Sequence, residues 1–195
     1  MIPLPNECYH IIFNNFRSDY KNLFSYALVN RQWCRIVIPI LWNDPNHHFK
    51  DKRLIKIFLL TLNAEEQALL IPFKITLPNQ SKPLFEYTSY ITSVNNCLDV
   101  GIRNFLGYKT GCALENIVKC SLIVMFLRTS KKLRHLSLNE VICNQLIFVS
   151  LCENATITSM RLHNISDDFK SKAIDALVKI LYKNFTLTSL DLHVE

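Results

Sequence analysis

Apolar positions change their period along the chain, and the changes mark three zones. From residue 1 to 45 they recur at three-to-four spacing. Cys8, Ile12 and Phe16, with Ile11 adjacent, share one helical face, Leu23, Phe24 and Ala27 a second, and Leu28 to Ile36 leads on to Leu41-Trp42. Pro5 suits a first helical position, where its missing amide costs nothing, and Glu7 suits the positive end of the helix dipole. Asp19 can cap the second helix. The zone 46–111 mixes helical stretches with a predicted loop over 77–83. Within it, Asn63 followed by Glu66 predicts a capped short helix that Pro72 stops.

The third zone, 112–195, contains an internal repeat. The segment Asn154 to His163 matches Asn184 to His193 thirty positions later, and Leu133-Arg134-His135-Leu136-Ser137-Leu138 keeps the same apolar skeleton, LxxLxL. A helical pattern precedes each copy: Ala113/Ile117/Cys120/Val124, then Ile142/Leu146/Val149/Cys152, then Phe169/Ala173/Leu177/Ile180/Leu181. In such strands the leucines point inward and the residues between them outward. One strand and one helix cannot bury their apolar faces alone, so the units must stack. The pattern resembles helix-backed leucine-rich repeats. It departs from them at the turn asparagine, whose place is taken by Val141, Ile165 and Glu195, with Asn139 and Asn164 off register.

Composition supports packed domains rather than general disorder, with 49% hydrophobic and 19% charged residues. Only 3 glycines argue against glycine-rich phosphate cradles and multi-hairpin sandwiches. The net charge of +6 is concentrated between residues 101 and 150, and a solvated basic face explains it most simply. Seven cysteines without a CxxC pair sit mostly among apolar neighbours and predict reduced thiols. No signal peptide is visible at the start, and the longest apolar run, Leu122 to Leu127, is far short of the roughly 20 residues that span a bilayer. The expectation is a soluble intracellular protein, cytoplasmic or nuclear, without membrane contact.

Enzyme chemistry finds little support. HExxH, GxSxG, GxGxxG and P-loop patterns are missing. His47-His48 beside Asp44 and Asp51 reads as a polar linker, because the side chains of adjacent residues diverge from a common ion. Gly107 to Gly111 lacks the Gly-Lys-Ser/Thr order that aims a lysine at phosphates and reads as a loop. The expected sets of catalytic, cofactor-binding and metal-binding residues are therefore empty.

The amino-terminal zone carries the most specific signal. Leu4-Pro5-x-Glu7, Ile12, Phe16, Leu23, Leu28-Val29-Asn30-Arg31-x-Trp33 and Leu41-Trp42 together resemble the F-box, a three-helix motif, and most closely the F-box proteins abundant in fungi. Phe16 replaces the usual leucine, and the first connection is about two residues longer than the common pattern, a cheap change. The resemblance implies docking on the small adaptor subunit of cullin-RING ubiquitin ligases. Leu4, Pro5, Glu7, Ile12, Phe16, Leu23 and Val29 would serve that contact, with Trp33 as its anchor. So small a motif cannot bury all its apolar surface alone.

The expected architecture is therefore α+β or an α/β solenoid: an F-box motif over 1–45, a mostly helical connecting region over 46–111, and about three repeat units over 112–195. The expected function is a substrate adaptor, not an enzyme, that holds an unidentified target protein on two columns, His135/Ser159/Ser189 and Ser137/Arg161/Asp191. A second expectation, from another class, is a repeat scaffold that binds protein or RNA without a ligase through the basic stretch Lys119 to Arg134. Nucleic acid is not the expected partner under the first.

Overall fold

The computed structural model describes residues 4–46, 48–75, 83, 85–107 and 111–193. The chain forms two compact units, Met1–Pro45 and Asn46–Glu195.

The first unit is three helices: α1 (Asn6–Asn14), α2 (Tyr20–Ala27) and α3 (Arg31–Leu41). Side chains at α2 and α3 satisfy amides that a helix start leaves unpaired. Asp19 accepts from the Asn22 amide at 3.2 Å, and Asn30 accepts from the Trp33 amide at 2.8 Å. Pro5 stands just before α1 rather than inside it, and its carbonyl accepts from the Cys8 amide at 3.1 Å. The core is Phe13, Leu23, Ala27, Val37 and Ile40, with Tyr9, Phe16, Tyr26 and Trp33 packed around it. The inward residues of α1 are thus Tyr9 and Phe13, joined by Phe16 just beyond its end, and not Cys8 and Ile12. Three large rings remove more apolar surface from water than one thiol and one isoleucine, so the helix turns them inward.

The second unit contains α4 (Lys52–Leu59), α5 (Ala64–Ala68), α6 (Cys97–Leu106), α7 (Cys112–Thr129), α8 (Gln145–Glu153) and α9 (Asp167–Lys183). Its strands are β1 (Ser93–Val94), β2 (His135–Leu138), β3 (Ser159–His163) and β4 (Ser189–His193). They form one parallel sheet in the order β1-β2-β3-β4. The chain is therefore a mixed protein, largely helical among its described residues, with a small parallel sheet.

The connecting region and the repeats are not separate bodies. Helix α4 packs on α6, α6 on α7, and the sheet begins within the middle zone at β1. Asn63 and Glu66 form the expected capping box at α5, each side chain bonded to the other's amide at 2.8 Å. Glu66 also receives Arg128 of α7 through two bonds, of 2.8 and 2.9 Å. Pro72 lies in a short 3-10 turn, Ile71–Phe73. Of the predicted loop 77–83, only Pro83 falls within the described residues.

Helix α7 is buried along most of its length, including Val118, Leu122, Ile123, Met125 and Phe126, so its pattern is nearly continuous rather than one-sided. In α8 the buried pair is Ile147 and Leu151, while Leu146 and Val149 of the predicted stripe are exposed. In α9 Ala173, Leu177 and Ile180 face inward as expected, whereas Phe169 and Leu181 do not. The turns after the strands use the off-register asparagines. Asn139 accepts from the Val141 amide at 3.4 Å, and Asn164 takes a left-handed backbone with φ 49°. Among the described residues, no helix is long and apolar enough to cross a membrane.

Candidate functional site

Two surfaces hold the residues that the sequence singles out. On the first unit, the ring cluster is self-contained. Phe13 meets Trp33 edge-on with centroids 5.0 Å apart, Tyr9 lies 5.7 Å from Trp33, and Phe16 meets Tyr26 edge-on at 5.5 Å. Once those rings close the core, Leu4, Ile11, Ile12, Phe24, Leu28 and Val29 are left in water, with Leu28 71% and Ile11 66% exposed. Burying each such side chain against a partner would contribute about 1.5–3 kcal/mol.

The residues expected to dock divide accordingly. Leu4, Pro5, Glu7, Ile12 and Val29 are exposed. Leu23 is fully buried, and Phe16 and Trp33 are half-buried against the unit's own core. Leu23 therefore corrects the expectation: its side chain serves folding and cannot touch a partner. Trp33 is held by its own neighbours, which makes it a core residue with one accessible side and not a free anchor. Ile11, Phe24 and Leu28 are outward residues that the docking set omits. The sequence places Phe24 on one face with Leu23 and Ala27, yet it is 59% exposed, and Leu28 follows the end of α2.

The second surface is the polar side of the sheet. Register sets Ser93, His135, Ser159 and Ser189 in one row and Ser137, Arg161 and Asp191 in the next, so both expected columns exist. With Asn95 and Asn96 they line a trough of about 320 Å3. Arg161 and Asp191 pair at 2.8 Å across β3 and β4, with His193 3.4 Å from the same carboxylate. Both charges of the pair remain solvent-accessible, so it holds little energy and can yield to a ligand.

Ser137 departs from the expectation that residues between the leucines face solvent. It is buried, and its hydroxyl lies 3.2 Å from Nδ1 of His163. Nε2 of His163 lies 3.2 Å from Oδ2 of Asp99 on α6, and Oδ1 of Asp99 lies 2.6 Å from Nζ of Lys119 on α7. Burial opposes the Asp99 charge, but the His163 bond and the Lys119 ammonium outweigh it and hold the carboxyl below its ordinary range. Burial in turn pulls the Lys119 ammonium below its ordinary value, only partly offset by Asp99. The ionised Asp99 carboxylate accepts from Nε2 of His163, whose Nδ1 faces the Ser137 hydroxyl. The chain orients the Ser137 hydroxyl. It recruits no oxyanion donor from its own strand, because the amides of a central strand belong to the sheet.

Sequence reading missed Asp99 altogether and assigned Lys119 to a basic surface. Lys119 is buried against Asp99, and Arg128 is engaged by Glu66, so two cations of the Lys119 to Arg134 stretch are structural. Lys131, Lys132 and Arg134 are exposed. All seven cysteines are free thiols, and burial pushes that of Cys120 up to about 11, which leaves it unreactive. No group of three or more His, Cys, Asp or Glu residues placed to hold a metal occurs among the described residues. His47 and residues 108–110 lie outside those residues. No family model, curated protein or solved structure matches the chain.

Proposed function

We propose that the chain is an F-box-type adaptor, which docks on a cullin-RING ligase through its first unit and holds a target protein on the polar side of its sheet. One observation carries the reading: the three-helix unit completes an aromatic core and still leaves Leu4, Ile11, Ile12, Phe24, Leu28 and Val29 outside. A unit with that division is built to add a partner's apolar surface to its own, the character of an obligate interface. The strand–helix units from β1 to α9 and β4 serve as a short leucine-rich-type stack. The trough rows would meet the target, with Arg161 and Asp191 as groups that exchange their mutual pair for contacts to it. The contribution to ubiquitin transfer is then proximity, not chemistry.

The test is capture of a purified ligase adaptor subunit by the full chain. Ile11→Lys with Phe24→Lys, both at exposed positions, should abolish capture while leaving the unfolding midpoint nearly unchanged. Capture that persists in the double variant, or its absence in the parent chain, removes the reading. Lys119 is buried against Asp99, which withdraws one of the cations that an RNA scaffold would need, and Arg128, though exposed, is already paired with Glu66.

A further inference from the structure

Asn184 closes the junction between α8 and α9. Its Nδ2 donates to the carbonyls of Leu151 at 3.0 Å and Asn154 at 2.8 Å. Asn154 holds the same place one repeat earlier, where the corresponding carbonyls are those of Leu127 and Ser130 at the end of α7. The junction between α7 and α8 is not closed in that way. Asn154 Oδ1 accepts from the amides of Thr156 and Ile157, both at 2.9 Å, which fixes which side of the amide carries Nδ2. Among the described residues, that Nδ2 donates to nothing, and no donor meets the Leu127 and Ser130 carbonyls.

A cleft of about 590 Å3 lies at this junction, with Leu127, Ser130 and Asn154 in its lining. It runs between α5 and α8 over the last turns of α7, and the units on either side of it along the chain are both present. Val124 and Leu127 form its floor, and Leu69, Leu146 and Val149 its walls. Leu146 is 46% and Val149 40% exposed, although α8 is an inner member of the stack. Clefts of several hundred Å3 with a mostly apolar lining and a few polar groups suit small organic ligands.

The charges in the lining decide which kind. Arg128 spends its charge on Glu66, so that pair is neutral toward a ligand. Glu65 and Glu153 carry exposed carboxylates with no bonded partner among the described residues, and Lys131 is the remaining cation of the lining. The ends of α7 and α8 add the negative poles of two helices. The Leu127 and Ser130 carbonyls add acceptors without donors. The balance is negative and selects an ammonium over a carboxylate.

We propose that this cleft binds a small amphipathic amine. Its aliphatic body lies over Val124 and Leu127 against Val149, and its ammonium sits where α7 and α8 stop, facing Glu65 and Glu153. A partner helix fits less well. The α8 wall has 9 residues, roughly 13 Å, which is short for a groove that must seat several turns. The proposal involves neither residues 1–45 nor the trough on the sheet, and it stands apart from the adaptor reading.

The probe is n-octylamine, titrated calorimetrically against the full chain beside n-octanoate and n-octanol, which share its tail. The expected result is saturable binding of one octylamine per chain, about tenfold tighter than octanoate. Added salt weakens it, because the carboxylates that select the ammonium are exposed. Glu65→Gln with Glu153→Gln, both at exposed positions, brings octylamine down to the affinity of octanol. Val149→Trp fills the cleft from a half-exposed position and removes the binding, while circular dichroism and the unfolding midpoint stay as in the parent. Absence of saturable octylamine binding overturns the proposal, and so does octanoate binding as tightly as octylamine. Binding unaltered in both variants places the amine elsewhere and overturns it too. Saturable binding of an amphipathic lysine–leucine peptide in place of octylamine would assign the cleft to a partner helix. A dimer in sedimentation that Val149→Trp dissolves and octylamine does not would assign it to a second copy, and either result overturns the proposal.

Discussion

The carbonyl oxygen of Phe49 lies against the α-carbon of Gly101 so closely that a methyl group on Gly101 would overlap it. Gly101 is in the middle of α6, where glycine is otherwise a poor choice, and Phe49 is buried between Phe58 and Phe126 at centroid distances of 5.8 and 6.1 Å. The contact joins backbone to backbone, so no side chain can swing away to relieve it.

Gly101→Ala should therefore destabilise the second unit by about 3 kcal/mol or more, despite the better helix propensity of alanine. Urea unfolding measures it. Gly111→Ala is the control: it has open space around it and an ordinary φ of −74°, and as the N-cap of α7 it should cost no more than about 1 kcal/mol.

The Asp99–Lys119 pair gives a second expectation. Asp99→Asn strands an ammonium whose side chain is only 3% exposed, which should cost about 3–5 kcal/mol. The double variant with Lys119→Met should recover most of that loss, since it no longer leaves a buried charge alone. A double-mutant cycle by denaturant unfolding reads the coupling, and additive losses would show that the two groups do not depend on each other.

Acid should act through the same carboxyl. Its folded pKa lies below the ordinary value of 3.8, so its stabilisation is complete above that value and disappears as pH falls through it toward the folded pKa. The parent chain should lose stability more steeply below pH 3.8 than Asp99→Asn does. Parallel acid-unfolding curves for the two proteins would contradict this.

Trp33 separates folding from docking in the first unit. Trp33→Ala opens a space beside Phe13, Tyr9 and Tyr26 and should cost about 3 kcal/mol. Ile11→Lys changes a residue that is 66% exposed and should cost less than about 0.5 kcal/mol. Thermal unfolding of the two variants distinguishes them, and equal losses would mean that Trp33 is not part of the core.

The strand register was legible because a thirty-residue repeat forces equivalent positions side by side. His135, Ser159 and Ser189 align as their offsets require, and so do Ser137, Arg161 and Asp191. Capping at Asn63/Glu66 and Asp19 was legible for a local reason, since each bond spans only three residues; the equally local cap at Asn30 went unread. Strand β1 was hidden because its register places Ile91 and Val94 with the repeat leucines but Asn96 where the last leucine belongs. The buried faces of α1 and α8 were misplaced because apolar residues occupy more than one face of each helix. Size and the packing of neighbours then decide, and neither is a periodic property. The Ser137–His163–Asp99–Lys119 chain was out of reach altogether, because it joins four separate elements through polar residues with no motif spacing.

That chain of four also has a bearing on the order of folding. The His163–Asp99 bond closes a stretch of 64 residues, and the Lys119–Asp99 contact ties in a third element between them. The His163–Asp99 bond cannot form until α6 and β3 have been brought together, so it belongs to the final, downhill part of assembly. Substitutions at His163 should accordingly leave the refolding rate almost untouched and appear as faster unfolding, making this polar junction a brake on escape from the native state and not a seed for reaching it.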